Sequence, residues 1–264
     1  MALGKPPARI AVNGTLSPRS PDTVEIRLAR SLTLSMPVDR TLHHFPLDPF
    51  SREVRLVLGE KRLRFTEVVE RYWERPEGLA ELNPSGLPPV LVEVRPGERL
   101  VICEARAILE YLDERYGDPA LLSNTDVVER VETRRLLQWF DRKFDYEVNG
   151  LLLHEKMEKR LLGVGAPDLA ALRAGRQALR AHLAHLEGLL AQRDWLAGRQ
   201  LSLADMAAGA HLSVVDFFGE CPWEDFPATR TWYARLKSRP CFRPLLNDRY
   251  PGLAPAAHYD DLDF

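Results

Sequence analysis

The sequence predicts a small α/β domain followed by an all-helical domain. After the first 40 residues, strand-like segments occur only between residues 41 and 103, where they alternate with helical patterns in the order β-α-β and then β-β-α. After residue 118 only helical periodicity remains. The first pattern is typical of a mixed sheet with helices on its faces, and the second of a helical bundle. The 264 residues, 45% hydrophobic and 28% charged, suffice for two modest cores.

The composition excludes several classes of protein. The formal net charge of -2 argues against the basic surface of a nucleic-acid-binding protein, and no apolar run reaches the length of a membrane span. The three cysteines, Cys103, Cys221 and Cys241, are widely spaced and odd in number, which favours free thiols in a reducing compartment. We therefore expect a cytoplasmic protein with neither membrane insertion nor a nucleic-acid partner.

Residues 1–40 differ in composition from the rest of the chain. They contain five prolines and no aromatic residue, a composition typical of disorder. Asn13-Gly14 interrupts the one apolar stretch that resembles a signal peptide. We interpret this arm as disordered, although the alternation over residues 24–34 leaves a strand open. A true start at Met36 also stays open, and a mature N-terminus near Ala2 would exclude it.

Residues 41–117 form the predicted α/β domain. Four short segments rich in β-branched residues predict strands at 41–45, 65–69, 90–94 and 99–103. The loop at 46–49 contains two prolines and cannot continue the first strand. Helices are predicted from Ser51 onward and over residues 104–116, where Gly117 ends the second. Residues 72–83 are predicted to be irregular or briefly helical.

Residues 124–246 form the predicted helical domain. Apolar residues recur at helical spacing over 126–162, 167–192 and 229–238, and a break near Asn149-Gly150 stays open. The segment 202–219 is apolar almost all round, which predicts a buried central helix. Residues 247–264 follow as a C-terminal tail.

Four stretches carry recognisable motifs. Residues 49–52 read Pro-Phe-Ser-Arg, residues 83–91 read Asn-Pro-Ser-Gly-Leu-Pro-Pro-Val-Leu, and residues 104–112 read Glu-Ala-Arg-Ala-Ile-Leu-Glu-Tyr-Leu. In the helical half, Ser-Leu-Ala-Asp at 202–205 precedes Trp232 and Arg-Pro-Cys-Phe-Arg-Pro at 239–244. Together these motifs resemble the glutathione transferase family over roughly residues 41 to 246. The resemblance implies a thioredoxin-like first domain joined to an all-helical second domain.

Three of the motif residues have predicted structural roles. The resemblance implies that Pro89, which precedes the third strand, has a cis peptide bond. Ser202 and Asp205 have the spacing of a capping box, in which the two residues at a helix start bond to each other's backbone. We therefore interpret Ser202 and Asp205 as structural.

The family resemblance also implies three glutathione-binding positions, and this sequence departs from the family at each. Asp48 replaces the catalytic Ser or Cys, and an ionised carboxylate accepts hydrogen bonds and raises the pKa of a nearby thiol. Pro88, before Pro89, has no amide hydrogen for the cysteinyl backbone. Glu104-Ala105 lacks the hydroxyl that binds the γ-glutamyl carboxylate. We predict a degenerate glutathione site with no catalytic residue and no cofactor, in which Asp48 is a helix N-cap.

No other catalytic pattern is evident in the sequence, which contains no H-E-x-x-H, P-loop or G-x-S-x-G motif. Ser51, one turn into the first helix, stays open as an alternative hydroxyl for the thiol. His182 and His185 share a helix face without an apparent third ligand. We therefore predict no metal site and interpret the two histidines as part of a solvated helix surface.

The chain ends in Tyr259-Asp260-Asp261-Leu262-Asp263-Phe264, which places three acids among three large apolar side chains. This pattern is typical of a short docking motif, with apolar anchors for a pocket and carboxylates for a basic rim. A tail that packs back on its own domain is the alternative, and both interpretations stay open.

This tail, on a transferase fold with a degenerate glutathione site, resembles a family of bacterial division proteins that bind FtsZ. The resemblance implies a homodimeric adaptor that binds FtsZ filaments, promotes their curvature and signals to septal wall-synthesis proteins through its tail. It also implies a filament-binding surface around the cleft of the first domain. There Tyr72 and Trp73 are our candidates, with burial of Trp73 against the sheet as the alternative. A glutathione-dependent transferase or isomerase with an atypical site stays open as the second class of function.

Overall fold

A four-stranded mixed sheet is the basis of the first domain. The computed structural model describes residues 38–122 and 126–262. Its strands are β1 (Asp39–His44), β2 (Thr66–Val69), β3 (Val90–Arg95) and β4 (Glu98–Cys103). The order across the sheet is β2-β1-β3-β4, with β1 parallel to β2 and β3 antiparallel to both of its neighbours. The predicted thioredoxin-like mixed sheet is confirmed.

Three helices complete this domain: α1 (Pro49–Glu60), α2 (Glu77–Leu82) and α3 (Ala105–Arg115). A single 3₁₀ turn, Tyr72–Glu74, precedes α2 in the segment predicted to be irregular or briefly helical. Helix α1 begins at Pro49, two residues before the start predicted at Ser51, because Pro49 supplies a preset φ angle at the first turn.

Over residues 126–262 the second domain contains five helices and a 3₁₀ turn, Trp223–Asp225. The first of them, α4, runs over residues 127–162. The others are α5 (Leu169–Leu190), α6 (Leu203–Phe217), α7 (Pro227–Lys237) and the short α8 (Arg243–Leu246). Helix α6 is buried along its whole length, as its apolar composition predicts. Within the described ranges, no helix has the length and apolarity needed to cross a membrane.

The helix continues through Asn149-Gly150, where the sequence left a break open. Helix α4 consists of five consecutive segments that alternate between α-helix and π-helix: Val127–Gln138, Trp139–Asn149, Gly150–Leu153, His154–Glu158 and Lys159–Leu162. The second and fourth segments are π-helical, and the backbone keeps right-handed helical angles at Asn149 and Gly150. The π-helical turns contain more residues than α-helical turns. They therefore account for the shift in the spacing of apolar residues that suggested an interruption in the sequence.

The boundary of the N-terminal arm also needs correction. Asp39 and Arg40, which the composition assigns to the arm, belong to β1. Arg40 is buried because its Nε donates to Glu93 Oε1 at 2.7 Å and its Nη2 donates to the Tyr116 hydroxyl at 2.7 Å. The disorder predicted for the rest of the arm, the strand over 24–34 and the start at Met36 lie outside the described residues.

The two domains meet along helices α1 and α6. Gly59 of α1 lies against Cys241, where an added Cβ would approach the Cys241 Cβ to 3.0 Å. Arg52, also on α1, is completely buried, and its Nη1 donates to Ser213 Oγ of α6 at 2.7 Å. This seam places the start of α1 beside both the sheet and the helical domain, where the candidate site lies.

Candidate functional site

Asp48 is the N-cap of α1, as the sequence predicts. Its Oδ2 accepts hydrogen bonds from the Ser51 amide at 2.7 Å and from the Ser51 hydroxyl at 2.6 Å. The same hydroxyl accepts from the amide of Phe45 at 3.2 Å. Ser51 is completely buried, and its hydroxyl already donates once and accepts once. Ser51 is therefore occupied by the cap and is poorly placed to stabilise a thiolate.

The charge of Asp48 is unfavourable for a bound thiolate. Burial raises the pKa of this carboxyl to about 6, against the opposing effect of the two Ser51 bonds, and Asp145 raises it further. With this pKa the carboxylate is largely ionised at neutral pH. A thiolate beside it would be repelled, which raises the pKa of the thiol instead of lowering it.

The Pro88–Pro89 peptide bond is cis, as predicted for Pro89. It leads directly into β3, whose first residue, Val90, pairs with His43 of β1. Pro88 has no amide hydrogen, so only its carbonyl is left for a glutathione backbone at this position.

Glu104, immediately before α3, has an unusual backbone conformation. Its φ is +69°, in the region that side chains with a Cβ rarely adopt. Its Oε1 lies 3.5 Å from the Asn83 amide nitrogen. Such residues persist where the surrounding structure holds them, and they cluster at binding sites. The next residue, Ala105, is buried and has no hydroxyl to offer a ligand.

Four aromatic rings pack beside the Asp48 loop. Trp73 contacts Phe45 edge to face with ring centroids 5.2 Å apart, and Tyr72 contacts the same ring at 5.8 Å. Tyr250 completes the group, 5.0 Å from Phe45 and 6.1 Å from Trp73. Trp73 is half-buried, so it both packs in this aromatic cluster and exposes part of its ring. Sequence reasoning missed Tyr250, which no local pattern connects to Trp73.

The start of the tail packs back on the helical domain. Tyr259 is completely buried; its hydroxyl accepts from Arg52 Nη1 at 2.9 Å and donates to the Leu245 carbonyl at 3.2 Å. The interpretation of Tyr259 as a partner-binding residue is therefore corrected, because the side chain anchors the tail internally. Asp260 and Asp261 are exposed and Leu262 is half-buried, whereas Asp263 and Phe264 lie outside the described residues.

Two further contacts hold the end of the described tail. His258 Nε2 lies 3.0 Å from Asp216 Oδ1, and this partner raises the pKa of His258. Lys237 Nζ donates to the Asp261 carbonyl at 2.6 Å. These contacts hold the backbone in place up to Asp261. The acidic side chains of Asp260 and Asp261 therefore project from a defined position.

Helix α1 is connected to the tail through buried charges. Arg52 Nη2 lies 3.0 Å from Asp248 Oδ2. Arg55 contacts the same carboxylate with two parallel bonds of 2.8 and 2.9 Å, an arrangement that is strong and directional. The helix that begins at Asp48 and the segment that leads into the tail therefore share one polar network.

The predicted capping residues of α6 contact each other. Asp205 Oδ2 accepts from the Ser202 amide at 2.9 Å and from its hydroxyl at 2.8 Å, while Oδ1 accepts from the amide of Leu196 at 2.9 Å and from Trp232 Nε1 at 3.0 Å. The carboxylate thus fixes the start of α6 and also binds two other segments.

The predicted solvated surface at His182 and His185 is wrong. His182 is buried because Trp139 of α4 covers it: the indole Nε1 donates to His182 Nδ1 at 2.9 Å. Its Nε2 lies 3.0 Å from Glu147 Oε2, and burial lowers the pKa of His182. His185 stacks on the same Trp139 ring at 4.9 Å.

Comparisons with known proteins agree with this architecture. The family model for the glutathione S-transferase N-terminal domain matches residues 49–115, and that for the C-terminal domain matches residues 156–240. FtsZ-localized protein A of Caulobacter vibrioides is 70% identical over 229 residues, which cover 87% of this chain and 100% of that protein.

Two solved structures are also similar. FzlA from C. crescentus matches with a TM-score of 0.84 at 70% identity, covering 86% of this chain and 100% of its own. A glutathione S-transferase from Rhodospirillum rubrum matches with a TM-score of 0.82 at 47% identity, covering 85% of this chain and 100% of its own.

Proposed function

We propose a role in cell division for this chain, which belongs to the glutathione S-transferase family and, within it, to the group of FtsZ-localized protein A. It is a non-enzymatic, cytoplasmic adaptor that binds FtsZ filaments at the division site, promotes their curvature and links them to septal wall-synthesis proteins. The observation that carries this proposal is the 70% identity that extends over the full length of FtsZ-localized protein A.

The chemistry of the ancestral pocket supports a binding role over a catalytic one. Asp48 is a negatively charged N-cap in the position where the family has its thiol-activating residue, and Ser51 is engaged with it. Pro88 and Ala105 each remove one hydrogen-bond donor for glutathione. A hydrogen bond to a charged group contributes ~1.5–3 kcal/mol. These losses and the adverse charge together weaken glutathione binding by roughly a hundredfold or more.

The aromatic cluster beside this pocket is the proposed filament-binding surface. Trp73 exposes part of its ring while Phe45 and Tyr250 hold the other side in T-shaped contacts. A partly exposed aromatic ring with a fixed orientation is typical of interface anchors, since little side-chain entropy is lost on binding. Arg71 lies at the rim, where its Nε donates to the Tyr250 hydroxyl at 3.4 Å and its Nη1 pairs with Glu74 Oε1 at 2.7 Å.

The proposed homodimer uses the start of α4. Val127, Val128 and Val131 expose 62%, 74% and 61% of their surface. Neighbouring exposed valines on one helix form an apolar patch that a second copy of the chain would bury. A two-fold dimer presents two identical filament-binding faces. If the faces are not collinear, a filament that contacts both must bend.

The acidic end of the tail is the proposed contact with wall-synthesis proteins. Asp260 and Asp261 are exposed, and buried Tyr259 fixes the backbone beside them. An acidic segment of this kind suits a partner with a basic surface. The filament surface and the tail would then act as separate contacts of one adaptor.

Sedimentation with GTP-assembled FtsZ tests the filament contact. We expect the wild-type chain to pellet with the filaments and Trp73→Ala to pellet much less, because truncation of a central aromatic anchor costs about 2 kcal/mol or more. Trp195→Ala is the matched control, since Trp195 is a half-buried tryptophan that packs under Arg235. Equal loss in both variants, or none in either, would contradict the proposed surface.

Division in cells tests the tail. Asp261→Lys should leave FtsZ sedimentation unchanged and yet disturb septation, because the reversed charge opposes a basic partner. Glu98→Lys, an equal charge reversal at an exposed position of β4, should leave both unchanged. Loss of filament binding in Asp261→Lys would mean that the tail and the filament surface are one site.

A glutathione-dependent transferase or isomerase is the second candidate function. It is favoured by Glu104, whose positive φ persists in the position where the family contacts the γ-glutamyl group. Turnover of a chlorodinitrobenzene substrate with glutathione tests it. Conjugation that Asp48→Ala abolishes, in a chain that does not sediment with FtsZ, would establish the enzyme and exclude the adaptor.

A further inference from the structure

A buried polar cluster lies on the seam between the two domains. Glu53 of α1, Asp141 of α4 and His211 of α6 each direct a metal-ligating atom into it, and these atoms all lie within 4.8 Å of one another. Glu53 and His211 are completely buried. None of the three takes part in the contacts described above, so their convergence needs its own explanation.

The spacing of these atoms suits a shared ion. His211 Nε2 lies 3.1 Å from Glu53 Oε1. Two ligand atoms bound to one ion at about 2.1 Å are separated by about 3.0 to 3.4 Å in tetrahedral or octahedral geometry. This pair therefore already has the separation of neighbouring ligands, and the third ligand atom lies within 4.8 Å of both.

Two carboxylate oxygens in the cluster are unpartnered. Glu53 Oε2 and Asp141 Oδ1 are buried and have no hydrogen-bond partner among the described residues. The other oxygen of Asp141 is held by Arg106 Nη2 at 2.6 Å, which orients the carboxylate. Buried acceptors normally have a partner, so these two oxygens are available to a positively charged ligand.

The surroundings resemble those of a metal-binding histidine. Asn149 Nδ2 donates to His211 Nδ1 at 2.7 Å, which orients the ring and leaves the imidazole proton on Nε2, facing Glu53. For Nε2 to bind a metal, the Asn149 amide must turn so that its Oδ1, which has no partner among the described residues, accepts from the Nδ1 proton. Three phenylalanine rings enclose His211 with centroid distances of 5.2 to 6.0 Å: Phe50, Phe140 and Phe144. An outer hydrogen bond that orients the ligating histidine, within an apolar shell, is typical of protein metal sites.

The charges around the cluster are unbalanced. Four carboxyl groups and one guanidinium face it or lie next to it, in addition to His211: Asp48, Glu53, Asp141, Asp145 and Arg106. The carboxyl groups outnumber the positively charged side chains that face them, and buried carboxylates need a positive partner. A divalent cation would supply it.

We propose that Glu53, Asp141 and His211 bind one divalent transition-metal ion of the zinc class. Two carboxylates with one imidazole suit zinc, iron or manganese better than magnesium or calcium, which prefer oxygen ligands alone. The three ligands come from α1, α4 and α6, so the ion joins the first domain to the second. A proton on the cluster is the competing occupant.

Calorimetric titration of the untagged, chelator-treated full chain with Zn²⁺ tests the proposal. We expect one strong site per chain, and we expect binding to tighten as pH rises from about 6 to about 8, because carboxylates and imidazole bind metals in their deprotonated forms. Glu53→Gln should weaken this site at least about a hundredfold, since loss of even an outer hydrogen bond costs 10- to 100-fold. Zn²⁺ should also raise the unfolding temperature of the wild type but not that of Glu53→Gln.

The control addresses zinc bound at exposed histidines. His154 and Glu158 form a half-exposed pair, and Glu158→Gln should leave the strong site unchanged.

If Glu53→Gln does not fold, Asp141→Asn replaces it, because Asp141 is partly exposed. Absence of a strong site, or a site that neither variant weakens, would overturn the proposal and leave the cluster holding protons only. FtsZ sedimentation does not enter this test, so the two proposals fail independently.

Discussion

Replacing Asp48 and Ala105 by serine restores two side chains that the family uses to hold glutathione. Serine is as good an N-cap as aspartate, so Asp48→Ser keeps the cap of α1 while it removes the negative charge. Ala105→Ser adds a hydroxyl at the start of α3, directly after Glu104. The double variant is therefore expected to fold and to differ from the wild type mainly in the pocket.

The expected gain follows from the contacts that return. Each restored hydrogen bond to a charged group contributes ~1.5–3 kcal/mol, and two of them give at least about 3 kcal/mol. At about 1.4 kcal/mol per decade, reduced glutathione should bind the double variant roughly a hundredfold more tightly than the wild type. Pro88 still denies the cysteinyl backbone one bond, so affinity remains below that of an intact site.

Isothermal titration with reduced glutathione at neutral pH measures this gain. Ala107→Ser, an equal substitution on the exposed side of α3, is the control and should change nothing. Wild-type binding that already equals the double variant would refute the reasoning, because the pocket would then hold glutathione despite Asp48 and Ala105. A double variant without any gain would refute it as well.

Three further predictions concern stability. Asp205→Ala should lower the free energy of unfolding, measured by urea titration, by at least about 3 kcal/mol, because four donors lose a buried acceptor. Ser202→Ala should lower it by only about 1 kcal/mol. Equal effects of the two substitutions would contradict this role of Asp205. The pKa of Asp48 is raised to about 6, so the contribution of this carboxyl to stability is present at acidic pH and is lost as pH rises through 6. Asp48→Ser should remove this pH dependence from the free energy of unfolding. An unchanged dependence of stability on pH would contradict the prediction. Tyr259→Phe breaks the bond with Arg52 and should speed hydrogen exchange in the tail, and unchanged protection would show that the bond does not hold it.

Local patterns predicted the features that depend on neighbouring residues. The Asp48 cap and the Ser202–Asp205 pair each join residues three positions apart, and the mixed sheet follows from β-α-β and β-β-α connections. The cis peptide bond of Pro89 was predicted from the family motif, and the structure contains it. These features are predictable because the chain brings the interacting groups together regardless of the rest of the fold.

Long-range contacts explain what the sequence could not predict. Arg52 and Tyr259 are 207 positions apart, so no periodicity relates the buried tyrosine to α1, and the composition of the tail alone suggests exposure. His182 is buried because Trp139 on another helix covers it. The π-helical turns of α4 have a similar origin, since helical phase is decided by packing as well as by propensity.

Co-sedimentation of the wild-type chain with GTP-assembled FtsZ, at increasing chain concentration, tests the adaptor function most directly. We predict saturable pelleting that depends on filaments and is unaffected by millimolar glutathione. A chain that stays in the supernatant at every concentration while it conjugates glutathione would contradict the account.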